Sequence, residues 1–405
     1  MSDTPPKPFK PLTPLEDALA SLLAQVQPLT ATETLPTAQL RGRVLASDLV
    51  SPVDVPPEDN SAMDGYALRA ADAGAELPVT QRIPAGSAPA PLAAGEAARI
   101  FTGAQVPPGA DTVVMQEFTE LVDGRLRITQ PVKAGQHVRR RGEDVRAGTV
   151  VLPAGTRLDA VSLGLAATAG AAELMVTRRP RVALFSTGDE LVMPGEPLPP
   201  GAIYNSNRFT LRALLEGLGC EVIDLGIVPD QLDATRAALR EAASQADLIL
   251  TSGGVSVGEE DHLRPAVQAE GQLDLWAIAI KPGKPFAYGR VGEAHFIGLP
   301  GNPMSSVVTF FVLVRPALLK LQGATKLAPR GYQLAAGFDW PRPDKRREFL
   351  RVRLDDAGHL ALLGNQGSGV LTSAFFADGL LDNPPGQAFS AGDAVRFIPF
   401  AELLA

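Results

Sequence analysis

The sequence has little of what several common kinds of site require. It contains one cysteine, Cys220, and four histidines that lie far apart in the chain. A single cysteine excludes an intrachain disulfide and a cysteine-rich zinc or iron–sulfur site. Any metal ion bound here is therefore expected to be a hard cation held by oxygen ligands.

Positive charge and long apolar runs are also scarce. The chain has 37 Lys and Arg against 45 Asp and Glu, a net charge of −8, which argues against a nucleic-acid or anionic-membrane partner. Its longest apolar stretch, Val307 to Val314, is far shorter than the roughly 20 residues of a membrane span. Residues 1–11 contain no apolar core of a secretory signal, so we expect a cytoplasmic protein.

Glycine and proline are abundant instead. The 405 residues include 39 glycines and 36 prolines, while 45% of residues are hydrophobic, so the surplus indicates tight turns and not disorder. A chain of this length is typical of two to four domains.

The pattern of apolar residues changes along the chain and predicts a multidomain α/β plus β fold. Helical spacing over Leu15–Leu23, around Leu35–Leu45 and over Val161–Ala172 surrounds a region of short apolar runs broken by turns. We therefore predict four domains: a discontinuous helical and linker domain (1–49 and 146–178), an inserted β-rich domain (50–145), a doubly wound α/β domain (179–327) and a small β-barrel-like domain (328–405).

The α/β region alternates short apolar runs with helical patterns, which predicts a parallel sheet covered on both faces. Such sheets bind ligands beyond the carboxyl ends of their strands. The predicted strands are Val182–Phe185, Val222–Leu225, Leu248–Thr251, Ile278–Ile280 and His295–Gly298.

Glycine-containing loops follow four of these strands. Backbone N–H groups in such loops, together with a helix N-terminus, bind phosphate, and Lys281 and Lys284 add positive charge. One such loop alone is ordinarily a turn, but four at one sheet edge favour a phosphate-bearing ligand. Nearby acids would repel that phosphate unless Mg²⁺ bridges them. These acids are Asp189, Glu190, Asp230 and Asp261.

The inserted β region carries polar segments with too little apolar area for core strands. They are DNSAMDGYA from Asp59, FTGA from Phe101 and RRRGED from Arg139. From the residues alone, a turn or a salt-bridged loop is as good an interpretation as a functional site.

Taken together, these motifs resemble the molybdopterin molybdenumtransferase family, the MoeA-like proteins that include the E domain of gephyrin. DNSAMDGYA and RGED are specific to this family, whereas SGGVSVG and GLPGNP also occur in molybdopterin adenylyltransferases and CinA-like proteins. QGSGVLTS at Gln366 and ADGL at Ala377 extend the resemblance to the last domain. Asn383, where an apolar residue is expected, is a small departure that concerns the packing of that domain.

The resemblance implies insertion of molybdate into the dithiolene of adenylylated molybdopterin, with release of AMP and dependence on magnesium. It also implies an L-shaped homodimer whose molybdopterin-binding α/β domain faces the partner's inserted domain, and it names molybdopterin adenylyltransferase and apo-molybdoenzymes as candidate partners. The implied catalytic residues are Asp59, Thr102, Asp144, Glu190, Asp261, Lys281 and Lys284. The implied binding residues are Thr187, Gly188, Asp189, Ser252, Gly253, Gly254, Ser256, Pro300, Asn302, Arg351 and Ser373, and the implied metal ligands are Asp189, Glu190, Asp230 and Asp261.

Two other functions remain as alternatives. Adenylation of molybdopterin, the preceding step, is carried out by shorter relatives of the α/β unit, and the inserted region with its own acidic motifs argues against it. A gephyrin-like docking scaffold is a second alternative. The lack of an appended adenylyltransferase domain or long linker in this sequence argues against it. Tungstate in place of molybdate stays open, since the two oxyanions are nearly the same size.

Overall fold

The computed structural model describes residues 12–254 and 262–404, and the backbone alone of Leu275. Two predicted site residues, Ser256 and Asp261, lie outside the described residues. The described part contains three six-stranded sheets and several two-stranded ones.

The first helix, Leu15–Gln25, buries Leu15, Ala18 and Leu22 against the end of the long helix of the α/β domain. Pro14 occupies the cap position of this helix, and Thr13 before it forms a β-bridge with Ile278. The first helix is therefore joined to the α/β domain at its start.

The helix predicted around Leu35–Leu45 is wrong. Thr32–Pro36 is a strand antiparallel to Glu173–Thr177, followed by a single 3₁₀ turn, Thr37–Gln39. Gly42 has a φ of +79°, outside the helical region, and Pro36 cannot donate a helical hydrogen bond. Pairing with a distant strand thus overrides the local helical spacing of apolar residues.

The linker domain contains the exit and return of the inserted region. Leu49–Val50 is antiparallel to Val150–Leu152, so the chain leaves and returns at neighbouring positions. The predicted helix after the insert spans Ala160–Thr168, and Asp159 and Ser162 form a capping box at its start.

The inserted region is a mixed sheet with an apolar layer on each face. Ala67, Ala98 and Val113 belong to one layer, whereas Tyr66 and Val114 belong to the other. In sheet order the strands are Thr112–Met115, Gly65–Leu68, Ala97–Ile100, Leu77–Ile83, Arg125–Ile128 and Thr119–Val122, with a separate pair, Asn60–Ser61 and Val138–Arg139, and two 3₁₀ turns, Ala70–Asp72 and Gln116–Phe118.

The α/β domain contains a six-stranded sheet with helices on both faces, as predicted. In sheet order, the first four strands are mutually parallel. Pro285–Val291 is antiparallel to both of its neighbours, so the prediction of an all-parallel sheet is wrong there. In order the strands are Glu221–Val228, Arg181–Thr187, Leu248–Ser252, Ala294–Leu299, Pro285–Val291 and Gly271–Ala277.

The strand predicted at Ile278–Ile280 does not belong to this sheet. Ile280–Lys281 instead pairs in parallel with Arg347–Leu354 of the C-terminal sheet. The short apolar run is therefore a link between two domains, a role that periodicity alone does not distinguish from a core strand.

Two apolar layers cover the α/β sheet. Val182 and Leu184 face one layer and Ala183 and Phe185 the other, as alternation along a strand requires. The covering helices are Ser206–Gly217, Leu232–Gln245, Leu263–Glu270, and the continuous run of Pro303–Thr309, a π-helical segment Phe310–Val314 and Arg315–Leu321; a small parallel pair, Leu191–Val192 and Ile203–Tyr204, precedes the first of them.

The 19-residue helical run Pro303–Leu321 is long and apolar enough to cross a membrane by length and composition, and an 18-residue window of it has a mean hydropathy of 1.6. The prediction of no membrane span rested on the shorter uninterrupted apolar stretch, Val307 to Val314. Within the protein, however, 89% of the apolar window is buried, as in a core helix.

The C-terminal region forms the third sheet around the apolar residues Leu350, Val352, Leu381 and Phe397. Its strand order is Ile280–Lys281, Arg347–Leu354, Gly379–Asn383, Ala394–Pro399 and Tyr332–Ala335, with Leu360–Leu362 also paired to the second strand and with two short helices, Thr372–Phe375 and Phe400–Leu404. The predicted domain boundaries themselves stay predictions.

Candidate functional site

Four parallel strands of the α/β sheet end in register. Thr187 lies opposite Val228, and Ser252 lies opposite both Ser186 and Leu299. The loops that follow these strands therefore start at one edge of the sheet. We call residues 187–190, 229–230, 252–254 and 300–302 the glycine edge.

Two glycines allow these loops to approach each other closely. The Gly253 N–H donates to Leu299 O at 3.0 Å. A Cβ atom on Gly253 would lie 2.9 Å from Thr187 O, and one on Gly254 would lie 3.0 Å from Thr187 Oγ1. Both glycines have positive φ, +89° and +66°, so side chains here would introduce backbone strain as well as contact.

The long helix of the α/β domain begins at the glycine edge. Asn302 is at its cap position and Pro303 is its first residue. Ser306 Oγ donates to Pro300 O, and Asn207 Nδ2 donates to Gly301 O at 2.7 Å. These bonds fix the loop before the helix, and neither Asn207 nor Ser306 was predicted from the sequence.

Three of the predicted metal ligands lie within electrostatic reach of one another. Burial raises the pKa of Asp230, and the charges of Asp189 and Glu190 raise it further, while His262 lowers it. The Glu190 carboxylate folds back over Gly188, where an added Cβ would lie 2.5 Å from Glu190 Oε2.

These carboxylates provide the all-oxygen donor set that suits Mg²⁺. Within residues 12–254 and 262–404, however, no group of three His, Cys, Asp or Glu side chains is arranged to hold a metal ion by itself. Asp261 is outside that range. The donor chemistry fits magnesium, but the described carboxylates alone would supply only part of its ligands.

The two predicted lysines differ in their surroundings. Lys281 Nζ lies 3.3 Å from Glu348 Oε1 and 3.4 Å from Asp344 Oδ2, whereas Lys284 is exposed. Between them, an added Cβ on Gly283 would lie 2.4 Å from Thr309 Oγ1. The lysine loop, residues 281–285, thus packs on the helix that begins at the glycine edge.

Arg351 and Ser373 also lie beside the start of that helix. The Arg351 side chain is buried, and its Nε donates to Ser373 Oγ at 3.1 Å while its terminal nitrogens donate to carbonyls of residues 349, 365 and 367. Burial lowers the pKa of Arg351 to about 10. The Met304 N–H donates to Ser368 O at 2.9 Å, which joins this C-terminal loop to the helix.

The predicted residues of the inserted region form a second cluster. Asp59 accepts from Arg140 Nη1 at 2.6 Å and from the Arg141 N–H at 2.8 Å. The N–H and the hydroxyl of Thr102 both donate to Asp64 Oδ1 at 2.7 Å, and these bonds lower the pKa of Asp64.

Backbone pairing brings the three polar segments together. Ser61 pairs with Val138 and accepts from the Gly103 N–H at 2.8 Å, while the exposed Asp144 donates its N–H to Val55 O at 3.0 Å. We call Asp59, Asp64, Thr102 and Asp144 the insert cluster. Asp64 was not singled out from the sequence, although it lies inside the DNSAMDGYA segment.

Among the described residues, no hydrogen bond or ion pair joins the insert cluster to the glycine edge. Every hydrogen-bond and ion-pair partner described above for the insert cluster lies within residues 50–145. The structure therefore brings the predicted residues together in two groups.

Three family models match the chain in succession. The MoeA N-terminal region (domain I and II) matches residues 13–170, the probable molybdopterin binding domain matches residues 183–320, and the MoeA C-terminal region (domain IV) matches residues 333–400.

Relatives match over nearly the whole length. A molybdopterin molybdenumtransferase of Haemophilus influenzae is 43% identical, covering 96% of this chain and 99% of the relative, and one from Nostoc sp. is 37% identical, covering 96% and 90%. The crystal structure of a molybdopterin biosynthesis MoeA protein from Pyrococcus horikoshii superposes with a TM-score of 0.83 at 30% identity, covering 96% of this chain and all of that one. The chain belongs to the MoeA family of molybdopterin molybdenumtransferases.

Proposed function

We propose that this protein inserts molybdate into the dithiolene of adenylylated molybdopterin and releases AMP, a transferase reaction of molybdenum cofactor biosynthesis. The observation that carries the proposal is the glycine edge, where four strand ends in register place three glycine-containing loops and a helix start around one space. The ligand expected there carries a phosphate and a phosphoanhydride, the groups that such an edge binds.

The residues of the glycine edge bind and orient this substrate. Backbone N–H groups beside Gly254 and Gly301 can approach a phosphate closely because no side chain intervenes, whereas the Gly253 N–H already donates to Leu299 O. Lys284 is exposed and Lys281 half-exposed, so both supply positive charge from the adjacent loop.

Asp189, Glu190 and Asp230, together with Asp261, would hold magnesium against the phosphoanhydride. When bound, the ion polarises the phosphorus for attack by an oxygen of molybdate or water. Burial raises the pKa of Asp230 and the charges of Asp189 and Glu190 raise it further, so a cation bound beside these carboxylates would lower the free energy of the ionised site.

We further propose that the insert cluster of one subunit completes the glycine edge of a second subunit in a homodimer. Asp59, Thr102 and Asp144 are exposed or half-exposed, and Asp64 and Arg140 hold two of them in place. Their carboxylates and hydroxyl can position or deprotonate groups around the dithiolene and the incoming oxyanion.

The pathway context is also part of the proposal. A molybdopterin adenylyltransferase supplies the substrate and apo-molybdoenzymes receive the product, and both candidate partners meet this protein in the cytoplasm.

Incubation of the protein with adenylylated molybdopterin, Mg²⁺ and molybdate tests the reaction. We expect AMP release that requires molybdate, loss of that release in Glu190→Ala, and normal release in Glu270→Gln, whose carboxylate pairs with Arg236 and Arg240 of the helix Leu232–Gln245. AMP release at the same rate with and without molybdate would contradict the proposed reaction. A parallel reaction with tungstate measures oxyanion preference.

Mixing two inactive variants tests the shared cleft. Asp59→Asn inactivates the insert cluster and Asn302→Ala inactivates the glycine edge. A mixed dimer therefore retains one cleft in which both parts are wild type. Recovery of activity on subunit exchange is the expected result, and its absence in mixed dimers of verified composition contradicts the shared cleft.

A further inference from the structure

A buried carboxylate in the C-terminal sheet contacts Lys281, one of the two lysines of the lysine loop. Glu348 lies directly opposite Lys281 in a parallel strand pair, and its side chain is 0% exposed. A carboxylate is rarely buried unless hydrogen-bond donors surround it. The donors around Glu348 therefore indicate what it does.

Those donors come from two segments of the C-terminal domain, residues 340–344 and the strand Gly379–Asn383. Trp340 Nε1 donates to Glu348 Oε2 at 2.8 Å, and the Asp344 N–H donates to the same oxygen at 3.1 Å. Asn383 Nδ2 lies 3.5 Å from it, and Asn383 is the residue opposite Glu348 in the next strand. All three donors converge on Oε2, so Oε1 is left to Lys281.

The contact with Glu348 explains why position 383 is an asparagine. The sequence pattern expected an apolar residue there, but Asn383 is buried and also donates to Gln387 O at 3.0 Å. An apolar side chain would remove one donor from the buried carboxylate and leave it less well compensated.

The ammonium group of Lys281 contacts carboxylates and is also partly exposed to solvent. The Lys281 side chain is 48% exposed, although its ammonium group donates to Glu348 Oε1 and forms an ion pair with Asp344 at 3.4 Å. An ammonium has three N–H donors, so N–H groups remain for a substrate oxyanion after Glu348 has accepted one. The backbone of Lys281 is fixed as well, because its strand pairs with residues 347–348.

We propose that Glu348 is a positioning residue that sets the Lys281 ammonium for the substrate phosphate and so couples the C-terminal domain to the glycine edge. This inference rests on the proposed function for its catalytic consequence. The anchoring of Lys281 itself does not depend on which reaction the site performs.

Acylation of Lys281 tests the anchoring without any substrate. A trace amine-acylating reagent is applied to the full-length protein, and mass spectrometry gives the ratio of labelled Lys281 to labelled Lys284. Glu348→Gln is expected to raise this ratio about threefold or more, because an ammonium engaged with carboxylates is less available to the reagent. An unchanged ratio overturns the anchoring whatever the enzyme does.

Kinetics test the consequence for the reaction. Glu348→Gln is expected to raise KM for adenylylated molybdopterin about tenfold with little change in kcat, since a phosphate contact is made in both ground and transition states. A purely structural role predicts instead a lower kcat, because a smaller fraction of the protein is active, at an unchanged KM. That result would overturn the inference.

A double-mutant cycle separates action through Lys281 from an independent effect. In a Lys281→Met background, Glu348→Gln should add nothing further to KM, whereas additive effects contradict the proposal. Trp340→Phe removes one donor to Glu348 and keeps the aromatic ring, so it serves as the milder variant if Glu348→Gln fails to fold, with a smaller change in the same direction. Glu270→Gln is the matched control for loss of a carboxylate.

Discussion

Gly301 offers a sharp test of where the substrate phosphate binds. An added Cβ at Gly301 would point toward Gly253, with its nearest contact the Gly253 Cα at 3.7 Å, an ordinary van der Waals distance. Gly301 does not have the left-handed φ that penalises side chains. Gly301→Ala therefore adds one methyl group between two loops of the glycine edge without straining the backbone.

The expected effects on stability and on binding have opposite signs. At a compatible position, Gly→Ala stabilises a protein by about 0.4–1 kcal/mol because the unfolded chain has less freedom. A phosphate displaced from one backbone N–H loses a charge-assisted hydrogen bond of about 1.5–3 kcal/mol. Since about 1.4 kcal/mol corresponds to tenfold, KM for the adenylylated substrate should rise by roughly tenfold to a hundredfold.

Thermal unfolding and AMP release measured on the same preparations provide the assay. Gly253→Ala is the contrasting variant: its φ of +89° and the 2.9 Å contact with Thr187 O predict a loss of stability of about 1–3 kcal/mol. Gly164→Ala, in a helix with open space around it, is the control and should gain about 1 kcal/mol at unchanged KM. An unchanged KM in a stable Gly301→Ala protein would refute phosphate binding between these loops.

Three further predictions concern other parts of the molecule. Asp64→Asn weakens the two bonds from Thr102 and should lower kcat while leaving the unfolding temperature nearly unchanged, whereas loss of folding in circular dichroism would assign Asp64 a structural role instead. Because the pKa of Asp230 is raised above its ordinary value of 3.8, the folded state holds that proton more tightly, and stability declines as pH rises through the raised pKa. Asp230→Asn should thus unfold at a higher temperature than the wild type at neutral pH without divalent ions, and added Mg²⁺ should stabilise the wild type more; equal responses to Mg²⁺ would contradict a metal role. Asp159→Ala removes a capping box and should cost about 1 kcal/mol of unfolding free energy with unchanged KM, while an undiminished unfolding temperature would show that the cap contributes nothing.

Local patterns in the sequence predicted most of the α/β domain correctly, and the reason is visible at its strands. Arg181–Thr187 and Leu248–Ser252 are short, almost wholly buried and bounded by turn residues, so their apolar runs have one interpretation. Parallel pairing then places their ends at one edge, as predicted, but the fourth predicted loop, residues 281–285, follows a strand of the C-terminal sheet.

Residues whose role depends on distant segments could not be predicted in this way. Leu35 lies in a strand because Leu174 pairs with it, and Ile280 belongs to the C-terminal sheet because Arg347 does. Asp64 and Glu348 act through Thr102 and Lys281, neighbours that only folding provides. Nothing in their local spacing separates them from ordinary surface or strand acids.

The exit and return of the inserted region have a consequence for how such a chain can be built. Because Val50 and Val150 are paired neighbours, a short hairpin turn can connect them in place of residues 51–149. Closing so small a gap costs little loop entropy, and the apolar layers of the insert are its own. The segment is thus a module that can be removed, transplanted or exchanged between relatives while the remainder of the chain keeps its connectivity.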